Sequence, residues 1–332
     1  MFAVGQTLPT GINRIDAETG SLVGTPLVPT DWSATATPAA VAVIDTGSGP
    51  HAELNVPGGY NCSTGQSYAD GNGHGTHVAG TIGARNNTAG VIGVAPGIPI
   101  YSVRVLNNAG SGSWSSVVCG INWVTANAAR LNIRVANMSL GGSGSDDGNC
   151  GNTNNDALHK AICGATAAGV TYVVAAGNDG ANEAGFVPAA YNEVLTVTAV
   201  ADFNGAPGGG AAATCRSDVD DTAADFSNYT TPSSPDAGHT IAAPGVCILS
   251  TWKSGGYNTI SGTSMATPHV TGTAAVCIAS GACIANDPTS VINKLRYDAA
   301  QASSSYGFIG DPGHAITTKT GTLYYGYLVT KY

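Results

Sequence analysis

Four short segments of the chain are dominated by apolar residues, and each is followed by small or polar residues. They lie at residues 41–44, 133–138, 170–174 and 194–200. Apolar runs of this length are typical of β-strands that are buried on both faces. We therefore expect four buried strands at these positions.

The segments between these strands carry a helical pattern. Residues 113–130 and 156–168 repeat apolar side chains at spacings of three or four, among them Val117, Ile121 and Leu158. Such spacings place side chains on one face of a helix. Strands that alternate with helices form a parallel sheet covered on both faces. The predicted fold class is α/β, a three-layer, doubly wound, mostly parallel sheet with helices on both faces.

Polar residues follow three of the predicted strands. Asp45 ends the first run, Ser139 follows the second, and Asn178 lies shortly after the third. In parallel sheets, side chains at the carboxyl ends of the strands point into the functional crevice. The pattern therefore predicts that Asp45, Ser139 and Asn178 lie in one crevice.

The low content of charged residues and the negative net charge argue against some classes of function. Charged residues make up only 10% of the 332 residues, against about 25% in an average protein. The 12 basic and 21 acidic residues give a net charge of −9, which offers no cationic surface to nucleic acid or anionic lipid. We expect no nucleic-acid partner. Since no change in composition marks a linker, we expect residues 1–332 to form a single domain.

No apolar stretch is long enough to span a membrane. Residues 270–285 come nearest, but Thr271, Thr273 and Ser280 interrupt them, and a span needs about 18 or more apolar residues. Residues 1–4 lack the charged start and long apolar stretch of a secretory signal. We expect the mature form of the protein, in which neither a signal peptide nor a prodomain is recognisable.

The chain has eight cysteines, an even number, and no pair of them has C-x-x-C spacing. This pattern favours disulfides over a zinc site, and hence a secreted, extracellular protein. Eight cysteines allow 105 full pairings, so the connectivity stays open. The alternative is a cytosolic enzyme with buried free thiols. The cysteines are Cys62, Cys119, Cys150, Cys163, Cys215, Cys247, Cys277 and Cys283.

The turn Asp45-Thr46-Gly47 would also suit an aspartic protease. Those enzymes pair two carboxylates from two such turns, so that the pair shares a proton. The chain has no second apolar strand that ends in Asp-Thr-Gly or Asp-Ser-Gly. The sequence therefore argues against a carboxylate-pair mechanism.

Two further segments carry candidate chemistry. His74 and His77 are three residues apart at a predicted helix start, whereas a zinc protease would need H-E-x-x-H. Ser264 follows Gly262 at the start of a helix of small residues, where unpaired N–H groups and the helix dipole favour an anion. Taken alone, His74 would be a structural histidine and Ser264 an N-cap.

Taken together, three segments resemble the signatures of the subtilases, the subtilisin-like serine proteases. Their order along the chain, Asp then His then Ser, is also that of the family. The resemblance extends over residues 6–326 and implies a subtilisin-like fold and a secreted serine endopeptidase. The cysteine content resembles that of proteinase-K-like members. The three segments are Asp45-Thr46-Gly47, residues 74–80 (HGTHVAG) and residues 262–270 (GTSMATPHV).

The resemblance implies a role for each matching residue. Ser264 would be the nucleophile, His74 the general base and then acid, and Asp45 the carboxylate that orients the imidazole. Asn178 would donate to the oxyanion beside the backbone N–H of Ser264. His77 and His269 have no catalytic counterpart and are expected to be packing or hydrogen-bonding residues.

The resemblance also implies a substrate site. Ser139, Leu140 and Gly141 match the edge segment that pairs with an extended substrate, and Ala175, Ala176 and Gly177 match the other wall of the S1 pocket. Phe186 lies about where several members have a small residue, so the pocket is either shallow or normal. Glu183 is either a charge that favours a basic P1 residue or a solvated loop carboxylate.

Calcium is the cofactor that the resemblance implies. The family's site takes oxygen ligands from the N-terminal segment and from the loop after the histidine helix. A separate acidic cluster, at Asp218, Asp220, Asp221 and Asp225, is either a second weak site or a solvated surface. The matching residues for the calcium site are Gln6, Glu53, Asn87 and the carbonyls of Arg85, Ala89 and Val91. The alternative is a turn at Asn86-Asn87 that hydrogen-bonds to itself and binds no ion.

The expected partners are polypeptide substrates, and also the protein's own cleaved prodomain or a protein inhibitor. We expect a monomer and no contact with a membrane. Two alternatives stay open, namely an inactive binding or scaffold protein on the same fold and a hydrolase of small esters.

Overall fold

The computed structural model describes residues 5–17 and 39–331, so residues 1–4, on which the absence of a signal was judged, lie outside the description. The helices are α1 (Thr10–Arg14), α2 (His74–Gly83), α3 (Trp114–Leu131), α4 (Ala157–Ala167), α5 (Thr263–Ala279) and α6 (Pro288–Tyr306). The strands are β1 (Ala40–Asp45), β2 (Gly58–Asn61), β3 (Ile100–Arg104), β4 (Ile133–Met138), β5 (Gly142–Ser143), β6 (Thr171–Ala175), β7 (Phe186–Val187), β8 (Leu195–Ala201), β9 (Thr222–Ala223), β10 (Thr240–Pro244), β11 (Ile248–Trp252), β12 (Gly256–Ile260), β13 (Thr317–Thr318) and β14 (Gly321–Thr322).

An eight-stranded sheet forms the centre of the part that the structure describes. Its strand order is β10-β8-β6-β4-β1-β3-β2, with β9 beside β8. The neighbours in this order run parallel, and only the β8–β9 pair is antiparallel. The order reverses direction around β1 because β3 and β2 lie on one side of it and β4 on the other. The prediction of a doubly wound, mostly parallel sheet is confirmed.

Helices cover both faces of the sheet. Along β1, Val41 and Val43 pack into one core with side chains of α2, α5 and α6. Ala42 and Ile44 point the other way and pack with α3 and α4. This alternation follows from the two-residue repeat of a strand, and it explains why both faces of β1 are apolar. The structure therefore has the three predicted layers.

The predicted helices and strands lie close to the observed ones. Residues 113–130 correspond to α3, where the Ser113 side chain accepts from the Ser116 N–H at 3.2 Å. Residues 156–168 correspond to α4, whose N-cap is Asp156. In both cases the capping side chain satisfies an N–H that the helix itself leaves unpaired.

Two fully buried strands of the sheet and one long helix are missing from the sequence analysis. Strand β3 carries Ser102 and Arg104, and β10 is a five-residue segment that ends in Pro244. Neither forms a continuous apolar run, although every residue in both strands is buried. Helix α6 has few apolar residues along its length, so the helical spacing of apolar positions that would predict it is weak.

Helix α5 runs through the core. Of its 17 residues, all but Ser264 and Ala279 are buried, and it contacts both α2 and the sheet strands β4, β6, β8 and β10. Its small residues allow this close approach, as at Gly272, where an added Cβ would lie 2.6 Å from the Val94 side chain. The helix therefore holds its first turn firmly relative to the sheet.

All eight cysteines are paired in disulfides, as the even count predicts. Among the residues that the structure describes, no helix is long and apolar enough to cross a lipid bilayer. The disulfides join Cys62 to Cys119, Cys150 to Cys163, Cys215 to Cys247 and Cys277 to Cys283.

Candidate active site

The three polar residues predicted to share a crevice lie at the carboxyl edge of the sheet. Asp45 is the last residue of β1, Ser139 directly follows β4, and Asn178 lies three residues after β6. These three strands are neighbours in the order β6-β4-β1. The topology thus brings together residues that are far apart in the sequence.

Asp45 and His74 form a close pair. The Nδ1 atom of His74 lies 2.8 Å from Oδ1 and 3.0 Å from Oδ2 of Asp45. Asp45 is fully buried, whereas a quarter of the His74 side chain is exposed. Burial lowers the pKa of His74, but the charge and hydrogen bond of Asp45, helped by Asp70, outweigh it and raise the pKa. The geometry fixes Nδ1 as the protonated nitrogen and leaves Nε2 available.

Asp70 positions this pair and was missed in the sequence analysis. Its carboxylate accepts from the Thr46 hydroxyl at 2.9 Å, which lies next to Asp45, and from the Thr76 hydroxyl at 2.7 Å. It also accepts from the backbone N–H groups of Gly73, the N-cap of α2, and of Thr76 in the first turn of that helix. One side chain thus ties the end of β1 to the start of the helix that carries His74. The signal was an Asp-Gly-Asn-Gly run just before a helix, which is typical of a helix cap.

Ser264 lies in the first turn of α5, as predicted. Its hydroxyl donates to the Ser139 carbonyl at 3.2 Å, and the Ser139 hydroxyl donates to the Ser264 carbonyl at 2.8 Å. Within residues 5–17 and 39–331, the structure has no hydrogen bond between Ser264 and His74. A rotation of the hydroxyl is therefore needed before a proton could pass to His74, and catalytic hydrogen bonds often tighten only when substrate is bound.

Asn178 is held by the residue that precedes Ser264. Its amide oxygen accepts from the backbone N–H of Thr263 at 2.8 Å and from the Thr263 hydroxyl at 2.9 Å. Because the oxygen is engaged in this way, the amide nitrogen is left to donate elsewhere.

A second residue absent from the sequence analysis holds the loop that carries Asn178. Asn228, which is fully buried, accepts from the backbone N–H groups of Asp179 and Ala181, each at 3.0 Å. Its amide nitrogen donates to the Ala176 carbonyl at 2.9 Å. No local pattern in the sequence marks this role, because its partners all lie far earlier in the chain.

Two cavities flank Ser264 and His74, and together they contain the six predicted substrate-binding residues. One cavity, of about 510 Å³, is lined by Ser139, Leu140 and Gly141 together with His74 and a shelf at Ala109–Gly112. The other, of about 320 Å³, is lined by Ser264 and Asn178 together with Leu140, Gly141, Ala175, Ala176, Gly177 and Phe186.

Phe186 lines the smaller cavity, where an added Cβ at Gly177 would lie 3.7 Å from its ring. Both expectations for Glu183 are wrong. Its side chain is fully buried, accepts from the Thr240 hydroxyl at 2.6 Å and is not among the residues that line the cavity. Burial raises the pKa of Glu183 to about 8, with a further contribution from Asp236, although the Thr240 hydrogen bond lowers it.

The residues implied for calcium come together in the structure. The amide nitrogen of Gln6 lies 2.6 Å from the carbonyl oxygen of Arg85, 3.0 Å from that of Ala89 and 2.9 Å from that of Val91. Three carbonyl oxygens therefore converge on one point. The amide nitrogen of Asn87 lies 3.3 Å from both carboxylate oxygens of Glu53, which is 4% exposed, and the amide oxygen of Asn87 accepts from the Ala89 N–H at 2.8 Å. The local bond to Ala89 is the one expected of a self-bonded turn, while the surrounding carbonyl and carboxylate oxygens form a partly buried set that suits a hard cation.

The separate acidic cluster is already satisfied by protein groups. Asp218 and Asp225 pair with Arg216 at 2.8 and 2.7 Å. Asp220 accepts two backbone N–H groups, and Asp221 pairs with the buried Arg14 at 2.9 Å. Asp220 and Asp221 are also buried rather than solvated. Arg216 and Arg14 thus balance the charges of Asp218, Asp225 and Asp221, so the cluster stabilises the fold and offers no uncompensated set of carboxylates to a second calcium ion.

His77 and His269 are buried, and each contacts a backbone carbonyl at 2.9 Å. Burial lowers the pKa of His77 to about 3 and that of His269 to about 4. Both are neutral packing residues, in agreement with the prediction.

Comparisons with known proteins place the chain in a family. The model of the subtilase family (Peptidase_S8) matches residues 37–286. Alkaline elastase YaB of Bacillus sp. (strain YaB) is 41% identical over 272 residues, which are 82% of this chain and 60% of that protein. Subtilisin DY of Bacillus licheniformis is 40% identical over 273 residues, 80% of this chain and 85% of its own.

The likeness extends to a solved structure. A crystal structure of a cold adapted subtilisin-like serine proteinase superimposes with a TM-score of 0.66 at 31% identity, covering 99% of each chain. The chain spans 60% of the length of the elastase and nearly the whole of the solved chain. On the strength of the family match and of these identities, the chain belongs to the subtilase family.

Proposed function

We propose that the protein is an endopeptidase that hydrolyses peptide bonds of proteins through Asp45, His74 and Ser264. The observation that carries this proposal is the Asp45–His74 pair at 2.8 Å, at the sheet edge where Ser264 lies in the first turn of a buried helix. A buried carboxylate on Nδ1 directs the other imidazole nitrogen to act as a base.

The reaction would proceed in two halves. Ser264 Oγ attacks the scissile carbonyl carbon while its proton passes to His74 Nε2, and Asp45 stabilises the imidazolium that forms. His74 then gives the proton to the leaving amine, and the C–N bond breaks to leave an acyl-enzyme on Ser264. In the second half a water molecule attacks the ester, and the same proton transfers release the acid product and restore Ser264.

The oxyanion of each tetrahedral intermediate would be stabilised by two donors, the backbone N–H of Ser264 and the amide nitrogen of Asn178. The hydrogen bonds from Thr263 hold the Asn178 oxygen away from this role. Donors that are fixed before reaction cost no reorganisation when charge develops. The buried Asn228 keeps the Asn178 loop in place.

We also propose that the substrate lies extended along Ser139, Leu140 and Gly141 and places its P1 side chain in the 320 Å³ cavity. Phe186 takes up space in that cavity, so a small or medium P1 side chain is expected. Phe186→Gly should shift kcat/KM towards large aromatic P1 residues in a matched set of peptides. An unchanged order of preference would remove Phe186 as the determinant of P1 size.

Calcium would be held by the oxygens of Glu53 and Asn87, the carbonyls of Arg85, Ala89 and Val91, and the Gln6 amide oxygen after a rotation of the amide. Bound there, the ion would join the N-terminal segment to the loop after α2. An ion that binds only the folded state at 1,000 times its Kd adds about 4 kcal/mol of stability.

The calcium proposal is tested on the Ser264→Ala protein, which excludes self-cleavage. Calcium should raise Tm, and Glu53→Ala should abolish this rise, whereas Asp225→Ala, in the acidic cluster, should keep it. Equal Tm values with calcium and with EDTA would overturn the site.

The four disulfides support a location outside the cell. We propose that the enzyme acts there, because disulfides form and persist mainly where conditions are oxidising, and we propose separately that it is a monomer. We also propose that residues 1–332 form one catalytic domain. Its partners would be polypeptide substrates and a cleaved prodomain or a protein inhibitor that occupies the same edge.

A fluorophosphonate probe tests the proposed activity. It should form one adduct, located at Ser264 by peptide mass spectrometry, and none on Ser264→Ala. The labelled enzyme should lose the ability to cleave a folded protein. An intact protein that forms no adduct would instead be a binding protein, and turnover of a simple ester without cleavage of a protein would indicate an esterase.

A further inference from the structure

A second group of ionisable side chains lies outside the proposed catalytic machinery, around His159 on α4. The Nδ1 atom of His159 is 3.4 Å from Oδ1 of Asp146 and 3.4 Å from Oδ1 of Asp147. Its Nε2 atom is 2.8 Å from Oε2 of Glu193. Both ring nitrogens of one histidine thus face carboxylates, and the nearest ligand atoms of His159, Asp146 and Asp147 all lie within 4.8 Å of one another.

The Nδ1 atom of His159 is buried and has no hydrogen-bond partner among the residues that the structure describes. The whole side chain is 0% exposed, and both carboxylate oxygens are beyond the usual N–H···O range of about 2.7–3.2 Å. If Nε2 donates to Glu193, a neutral ring leaves a lone pair at Nδ1. A lone pair that faces two negative oxygens is repelled unless a positive charge lies between them.

We propose that His159 Nδ1, Asp146 Oδ1 and Asp147 Oδ1 bind one divalent transition-metal ion, for which Zn²⁺ is best suited. Metal–ligand bonds of about 2.1 Å place tetrahedral ligands about 3.4 Å apart. This matches the two distances from Nδ1 to the carboxylate oxygens. The 5% and 17% exposure of the Asp147 and Asp146 side chains leaves a route for an ion and for a water molecule as fourth ligand.

The surroundings hold these ligands in place. Oδ1 of Asp146 accepts from the Gly148 N–H at 2.8 Å, and the Tyr191 ring stacks on His159 with centroids 4.0 Å apart. Glu193 accepts from Nε2, the arrangement that orients a metal-binding histidine and fixes its tautomer. Asp147 accepts from four backbone N–H groups, those of Asn149, Gly151, Thr153 and Asn154.

The charges around His159 favour a cation. Three carboxylates, those of Asp146, Asp147 and Glu193, lie within 3.4 Å of the His159 ring nitrogens. A proton and a metal ion therefore compete for the same nitrogen.

The donor types decide between metals. Calcium takes oxygen ligands, whereas an imidazole nitrogen with two carboxylates suits zinc and its neighbours in the first transition row. Cys150 and Cys163 lie beside the same histidine, but they are joined in a disulfide and offer no thiolate. The proposed site is thus distinct in chemistry from the calcium site.

A metal ion at this site would hold in place the loop after β5, which lies next to the proposed substrate cavity. Asp146 and Asp147 follow β5, which pairs with β7 and lines the 320 Å³ cavity. Glu193 follows β7 on the other side of the pair. The ion would therefore link the loop after β5 to His159 on α4. Through the hydrogen bond of His159 to Glu193, it would also be connected to the segment after β7.

The test uses the 332-residue Ser264→Ala protein, freed of transition metals and kept in excess Ca²⁺ so that the proposed calcium site is filled. Zn²⁺ alone is titrated by calorimetry, and Tm is measured with and without it. The variants are Asp146→Asn and His159→Gln, with Asp225→Asn as a control that removes one exposed negative charge elsewhere. Circular dichroism first establishes that each variant folds.

The expected result is one Zn²⁺ per chain and a rise in Tm, with affinity at least about tenfold weaker in both variants and unchanged in Asp225→Asn. Because Asp146→Asn keeps the size of the side chain, it remains informative if His159→Gln fails to fold. No saturable binding would overturn the proposal and assign a proton to His159. Saturable binding that neither variant weakens would also overturn it, since the ion would then lie elsewhere.

Discussion

Helix α2 carries two histidines, one turn apart, in opposite environments. His74 faces the Asp45 carboxylate at 2.8 Å and keeps a quarter of its side chain exposed. His77 is fully buried and contacts the carbonyl of Ile248, at 2.9 Å, through its Nε2 atom. The pKa of the first is raised, and burial lowers the pKa of the second to about 3.

The difference lies in the partner and not in burial alone. Both rings lose water on folding, and desolvation lowers both pKa values. Only at His74 does a carboxylate raise the pKa by more than desolvation lowers it, because the carboxylate stabilises the charged form of the ring directly. A histidine that must accept and return a proton needs such a partner, whereas one that packs a core is best kept neutral.

The largest fall in kcat should come from Asp45→Asn. This change gives His74 a neutral partner, just as His77 has the neutral carbonyl of Ile248 as its partner. The wrong tautomer is then favoured and the imidazolium loses its counter-charge, so kcat should fall by about 10⁴. Steady-state cleavage of a peptide substrate measures this, with Tm as the control for folding. A fall of less than tenfold would mean that His74 does not depend on Asp45.

Asn178→Leu should come next, with kcat lower by roughly 10² to 10³ and KM changed far less, since one oxyanion donor is lost. The change does not touch His74, so the pH at which kcat/KM rises should stay that of the wild type. A kcat near the wild-type value would remove Asn178 from the oxyanion hole. A displaced pH profile would mean that the two sites are coupled.

The third expectation concerns the pH profile of the unaltered enzyme. His74 must be neutral to accept a proton, and its pKa is raised above 6.5, so kcat/KM should increase with pH through a midpoint above 6.5 and then level off. Below the midpoint the slope should approach tenfold per pH unit. An optimum at acidic pH would contradict the assignment of His74 as base.

The smallest effect concerns stability and belongs to His77. Its pKa falls from 6.5 to about 3 on folding, so its contribution is fully present above pH 6.5 and is lost as pH falls towards 3. Between pH 7 and pH 5 the loss should be about 2 kcal/mol. Urea unfolding of Ser264→Ala, with and without His77→Gln, measures it as the difference between the two proteins.

The two proteins must be compared because Glu183 changes the stability with pH in the direction opposite to His77. Its pKa is raised to about 8 on folding, so its contribution to stability grows as pH falls from 8 towards 4.5. The pH dependence of one protein alone would combine His77 and Glu183 with other buried groups, such as His269, whose pKa is lowered to about 4. If the free energies of unfolding of the protein that keeps His77 and of the His77→Gln variant differ by the same amount at every pH, His77 is not held neutral.

Sequence analysis found the elements whose signal is local. The apolar runs at β1, β4, β6 and β8 show their burial directly, and each of the three signature segments is contiguous. By contrast, β3 is buried with Ser102 and Arg104 in it, because long-range hydrogen bonds satisfy both side chains. Such satisfaction by distant partners leaves no trace in the pattern of the strand itself.

The same limit applies to the supporting residues of the site. Asn228 holds the Asn178 loop through backbone atoms 49 and 47 positions away, and Glu183 is buried against Thr240, which follows it by 57 positions. The disulfide pairing depends on the fold in the same way. Residues proposed to perform the chemistry were predictable from contiguous motifs, whereas the residues that position them depend on the tertiary structure.

The burial of α5 affects how fast copies of the enzyme would digest one another. Ser264 is attached to a helix that is enclosed along nearly its whole length, so this helix has no route to open by itself. Its amide hydrogens should therefore exchange only when the entire molecule unfolds. If Ser264 is the nucleophile, as proposed, copies that are transiently unfolded and open to digestion would have no working nucleophile, and every copy able to cleave them would be fully folded.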